Sequence, residues 1–115
     1  IAVTGEGNST TTNLQQGLMK AWMYYKQFGT TITDSFNTSS ATDTSTGDFL
    51  HNYTNAFAGS YDFRTLGGTS IANDKFLSHG FTGASTTAQQ FNVYDVGNGA
   101  VDDSFCSTIA GGDLA

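Results

Sequence analysis

Leu14, Leu18, Trp22 and Tyr25 recur at intervals of four, four and three residues, the spacing of one face of an α-helix. Met19 and Met23 widen that face, while Gln16, Lys20 and Gln27 fall towards the opposite side. Thr12 followed by Gln15 forms a capping-box pattern, in which a hydroxyl and a side-chain amide satisfy the first free N–H groups of a helix. Gly29 offers a left-handed stop. These signals predict an amphipathic helix over residues 13 to 28. A second, shorter helix is predicted from Asp48 as N-cap through Phe49, Leu50, Tyr53 and Phe57 to a stop at Gly59.

Elsewhere the alternation has the period of a strand. Thr30 to Phe36 is Thr-rich with Ile32 and Phe36 in alternation, which predicts a short strand. Tyr61, Phe63 and Thr65 alternate within Ser60 to Leu66 and give way to a predicted turn at Gly67-Gly68. Gln90 to Val96 and Val101 to Ile109 are β-prone and flank Gly97-Asn98-Gly99, a hairpin signal. Residues 71 to 81 fit neither period.

Two stretches lack a buried face by this reading. Residues 1 to 12 hold apolar side chains only at their start and predict an extended arm or edge strand. Residues 37 to 47 contain one Ala and no larger apolar group, so an exposed Thr/Ser-rich loop is predicted. The fold class expected is α+β in a single domain spanning 1 to 115. One amphipathic N-terminal helix and a short second helix would pack on an antiparallel β-sheet from the C-terminal half. Trp22, Tyr25, Phe49, Phe57 and Phe63 are the predicted core. Tyr24 lies off the helical stripe and, with Ile1 and Val3 of the arm, is a candidate interface residue.

Composition changes how much weight short motifs bear. Thr, Ser, Asn and Gly number 18, 11, 8 and 14, together 51 of 115 residues, so hydroxyl-based patterns arise readily by chance. Ten acids face only Lys20, Lys26, Arg64 and Lys75, a net charge of −6, which opposes binding to nucleic acid. No polybasic cluster or apolar run near the roughly 20 residues of a membrane-spanning helix is present, so no membrane insertion is expected. Cys106 stands alone, which rules out an internal disulfide, and its apolar neighbours Phe105 and Ile109 predict a buried thiol. The first residue is Ile1 rather than Met. With the hydroxyl-rich composition, this suggests a cleaved precursor and an extracellular or cell-surface location.

Candidate chemistry is sparse. Asn8, Asn37 and Asn52 head Asn-x-Ser/Thr sequons and are candidate glycosylation sites. Asp95, Asn98, Asp102 and Asp103 gather oxygen ligands suited to a hard cation, but without the order or distal Glu of a calcium loop. They are weak metal candidates. His51 and His79 lack zinc spacing, and neither a nucleophile elbow nor a phosphate-binding Gly pattern is present. No cofactor is expected. Together the features lead to a noncatalytic structural subunit, a filament or coat protomer whose partners are copies of itself. Strand addition from residues 1 to 5 is the expected mechanism. The alternative is a secreted carbohydrate-binding module with glycan as partner, and a small secreted enzyme is third.

Overall fold

The computed structural model describes residues 2–4, 11–13, 18–59, 64–70, 74–79 and 84–115. These contain eleven β-strands and no helix. In chain order they are β1 (Ala2–Thr4), β2 (Thr11–Asn13), β3 (Met19–Lys26), β4 (Thr31–Phe36), β5 (Thr38–Ser45), β6 (Asp48–Tyr53), β7 (Arg64–Ser70), β8 (Lys75–His79), β9 (Ala88–Asp95), β10 (Gly99–Ala100) and β11 (Cys106–Gly112). Strands β4, β3, β11 and β7 form one antiparallel sheet in that order. A five-stranded sheet contains β5, β6 and β9, with β8 and β10 also paired to β9. β1 and β2 make a separate two-stranded ribbon.

The α+β expectation is therefore corrected to all-β. Neither predicted helix is helical where it is described: β3 takes up most of the first and β6 the start of the second, and the reason lies in which face each residue takes. In β3, Ala21, Met23 and Tyr25 are buried and Trp22 is exposed, the two-residue period of a strand. Apolar residues occupy both faces, so the helical spacing also fits. In β6 the buried positions are Phe49, His51 and Tyr53, and the polar inward residue His51 hides the alternation.

Two further expectations change. Thr38–Ser45, predicted as part of a loop, is edge strand β5. It owes its order to the backbone ladder of β6 and to half-buried Ala41, which packs on the core. Gly67 and Gly68 do not turn; they pair with Ile109 and Thr108 inside β7.

The two larger sheets face one another across a shared core. Met23, Tyr25 and Cys106 from the four-stranded sheet pack with Phe49, Phe91 and Val93 from the five-stranded one. The Tyr25 and Phe49 rings lie 4.9 Å apart between centroids. Each such buried side chain contributes roughly 1.5–3 kcal/mol. A second cluster of Ala21, Tyr53, Phe57 and Ala110 closes the end where β3 begins. Trp22, predicted for the core, is 36% exposed, and Phe63 lies outside the described residues.

From β4 to β5 the chain crosses between sheets in a single residue, Asn37, with φ of 52°. Asn tolerates that left-handed conformation better than most side chains. Its Nδ2 donates to Lys20 O at 2.9 Å and Asn55 O at 3.3 Å, and its Oδ1 accepts from Asn55 N at 2.7 Å. At the opposite end Gly47, φ 80°, brings its backbone against β9 and the chain after β10: a Cβ there would lie 2.8 Å from Val93 O.

Candidate functional site

The outer face of the four-stranded sheet carries an apolar row. Register places Phe36 of β4 opposite Trp22 of β3, and Trp22 opposite Ile109 of β11. Directly opposed residues on adjacent strands share a face, so the three side chains run side by side across the sheet. They are 53%, 36% and 42% exposed. In the next row Tyr24 stands between Asp34 and Ser107, and its ring stacks on Phe105 at 5.2 Å.

Phe36 also lines a groove of about 700 Å³ at the end of the sandwich where β3 begins. Leu18, Met19 and Leu114 supply its other apolar walls, and Asn55 and Asp113 its polar rim. Groove and row are thus one surface joined at Phe36. Of the ten exposed large hydrophobics among the described residues, six belong to it: Leu18, Met19, Trp22, Phe36, Ile109 and Leu114.

The outer face of the five-stranded sheet is chemically opposite. Asn52 of β6 donates through Nδ2 to the hydroxyls of Ser40 and Thr42 on β5, at 3.0 and 2.9 Å. Asn92 of β9 donates to Asp48 Oδ1 at 2.6 Å, and Ser45 Oγ donates to Asp48 Oδ2 at 3.0 Å. Across β5, β6 and Asn92 this face bonds its polar groups to its own neighbours, and on β8 and β9 it exposes the stacked pair Phe76 and Tyr94.

Between the sheets, His51 is fully buried, with Nδ1 at 2.9 Å from Thr108 Oγ1 and Nε2 at 2.7 Å from Thr38 Oγ1. Burial pulls its pKa down to about 4, so the ring is neutral at pH 7, one nitrogen donating and the other accepting. Cys106 is buried, as its neighbours predict, and burial followed by the nearby Asp103 carboxylate pushes its thiol up to about 12. It is a packing group with an S–H aimed at Gln27 Oε1, 3.7 Å away.

The residues singled out from sequence are scattered. Ile1 and Asn8 lie outside the described residues. Val3 pairs through its backbone with Thr12 of its own chain. Tyr24 does lie beside the apolar row. Asn37 commits both its amide hydrogens to the sheet crossing, and Asn52 commits its own to β5; these are the nitrogens a glycan would occupy. Asp95 Oδ1 accepts from Gly97 N and Asn98 N inside the β9–β10 turn, at 2.8 and 3.2 Å. Asp102 accepts from Gly47 N at 2.7 Å. Asp103 is buried, accepts from Ser104 N and faces Lys75 Nζ at 3.7 Å. Asp95, Asp102 and Asp103 each hold different backbone N–H groups, and Asn98 donates its Nδ2 to Asp95 Oδ1 at 3.4 Å. Among the described residues no three His, Cys, Asp or Glu side chains are grouped to hold a metal ion.

Sequence reasoning missed Phe36 and Ile109 as surface residues. Only register, which couples strands distant in sequence, places them beside Trp22. No known family, curated protein or solved structure matches the chain.

Proposed function

We propose that the chain is a noncatalytic structural subunit, at the cell surface or outside the cell, that associates with copies of itself through the outer face of the four-stranded sheet. The observation that carries this reading is the Phe36–Trp22–Ile109 row, continuous with the apolar groove. A contiguous exposed apolar surface marks a partner site, and Trp is among the side chains that contribute most at such sites. Covering each half-exposed member contributes about 1 kcal/mol.

Face packing is better supported than strand addition. Residues Ala2–Thr4 already pair within the chain. Edge strand β4 has its Ser35 N–H taken by Asp34 Oδ1 at 2.9 Å, and edge strand β5 carries two register shifts. Both devices blunt an edge.

One observation favours a carbohydrate-binding module as second reading: exposed Phe76 and Tyr94 stack at 5.7 Å on the other sheet, with Asn92 two residues from Tyr94. Sedimentation velocity on the intact protein and on Phe36→Ser/Ile109→Thr separates the two. Self-association that rises with concentration and is lost in the double variant supports the structural subunit. A strictly monomeric protein overturns it, and retention of that monomer by immobilised neutral oligosaccharides would favour the module.

A further inference from the structure

We propose that copies stack head to tail, the hairpin end of one seated on the groove and apolar row of the next. This rests on the self-association reading and adds to it a direction and a second surface.

The second surface lies at the other end of the sandwich. β3 starts at the groove with Met19 and runs away from it to Lys26, so Phe28 in the following turn is at the far end. β9 starts with Ala88 opposite Asn52 and runs the same way to Asp95, so Val96 in its turn is at that end too. Gln27 N donates to Asp103 O at 3.2 Å, and Asp103 faces Lys75, the partner of Asp95; these contacts tie the two turns to one end. Phe28, Phe76, Tyr94 and Val96 are the remaining exposed large hydrophobics, and all belong to this end or to the strand pair leading to it.

Val96 is suited to be an anchor. It is 79% exposed, the most of any large hydrophobic described. Its turn is fixed beforehand: Val96 N donates to Asp74 O at 3.0 Å, and Asp95 Oδ1 holds the N–H groups of Gly97 and Asn98. An anchor already held in place loses little entropy on docking.

Charge decides the occupant. With buried Asp103 facing Lys75, the hairpin end is left with Asp43, Asp48, Asp74, Asp95 and Asp102 against Lys26. Two hairpin ends meeting would bring like charges together, which an interface penalises. The groove end presents Lys20 against Asp113, close to neutral. A two-fold contact through the groove surface alone would leave the hairpin end bare, whereas one end on the other covers both. A heterologous contact of this kind repeats, giving a closed ring or an open filament.

The test uses two singly blocked variants of the intact protein, Val96→Asp and Met19→Asp, each at a position more than half exposed, with circular dichroism to confirm folding and Val96→Ser and Met19→Ser as milder substitutes. Light scattering after size exclusion is expected to show each variant alone as a monomer and their equimolar mixture as a dimer and nothing larger, because each supplies the surface the other lacks. Val96→Asp assembling as wild type overturns the head-to-tail arrangement while leaving self-association standing. A mixture that stays monomeric, or that grows beyond the dimer, also overturns it. Monomeric wild type overturns both readings.

Discussion

The two outer faces of this sandwich are built by the same rule and reach opposite results. On the five-stranded sheet, outward residues such as Asn52, Asn92 and Asp48 have short polar neighbours on the next strand and bond to them. On the four-stranded sheet, the outward partner of Trp22 is Phe36 on one side and Ile109 on the other. Cross-strand pairing therefore creates an internally bonded polar surface across β5, β6 and Asn92, beside the Phe76–Tyr94 stack, and an exposed apolar row on the other sheet. Both rest on one interior, where His51 joins β6 to β11 through Thr108. The lesson is that the exposed apolar row is a property of register, since each strand taken alone is ordinary.

The largest predicted effect acts on that common interior and should alter both faces together. The folded pKa of His51, about 4, lies below the ordinary 6.5. As pH falls below 6.5 the unfolded chain takes up a proton that the folded chain refuses, so stability drops until about pH 4 and His51 contributes no further loss below it. The total is about 3 kcal/mol. Urea titrations across this range should show the drop, and His51→Gln should flatten it; an unchanged slope would mean that the two faces do not share this support. Gly47→Ala follows, at about 2 kcal/mol, because the left-handed backbone penalises a Cβ that would also press on Val93 O. Thermal melts check it, with both faces again affected alike.

Smaller effects should separate the faces. Phe36→Ser is expected to weaken self-association about tenfold, near 1.4 kcal/mol, read by sedimentation equilibrium. The smallest is Asn52→Ala, which removes donors to Ser40 and Thr42 and should cost at most about 1 kcal/mol of stability with no change in association. If Asn52→Ala weakened assembly as much as Phe36→Ser, the contrast between the faces would collapse.

Much of the strand content was legible and the class was not. Thr30 to Phe36 and Gln90 to Val96 form strands β4 and β9 close to where expected, but Val101 to Ile109 does not return as the partner of β9: only Gly99–Ala100 pairs there, and β11 starts at Cys106 in the other sheet. The turn after β9 departs in detail: Gly99 alone takes positive φ there, at 75°. β3 misled because Trp22 and Tyr24 fill its outer face as Ala21, Met23 and Tyr25 fill its inner one, so both periods match. β6, β9 and β11 place His51, Gln89 and Thr108 inward, polar residues that a hydrophobicity pattern assigns to solvent. β5 gave no signal because an edge strand can be held by its neighbour's ladder. Of the residues around the apolar row, only Tyr24 is singled out for the surface by the sequence, through its place off the helical stripe.

Trp22 is the single tryptophan and sits at the centre of the proposed interface, so its fluorescence reads the central claim directly. Emission recorded over a wide range of protein concentration should shift to shorter wavelength as concentration rises and return on dilution, with no shift in Phe36→Ser/Ile109→Thr. An emission maximum that stays fixed at every concentration in the wild-type protein would show that no copy covers this face and would contradict the account.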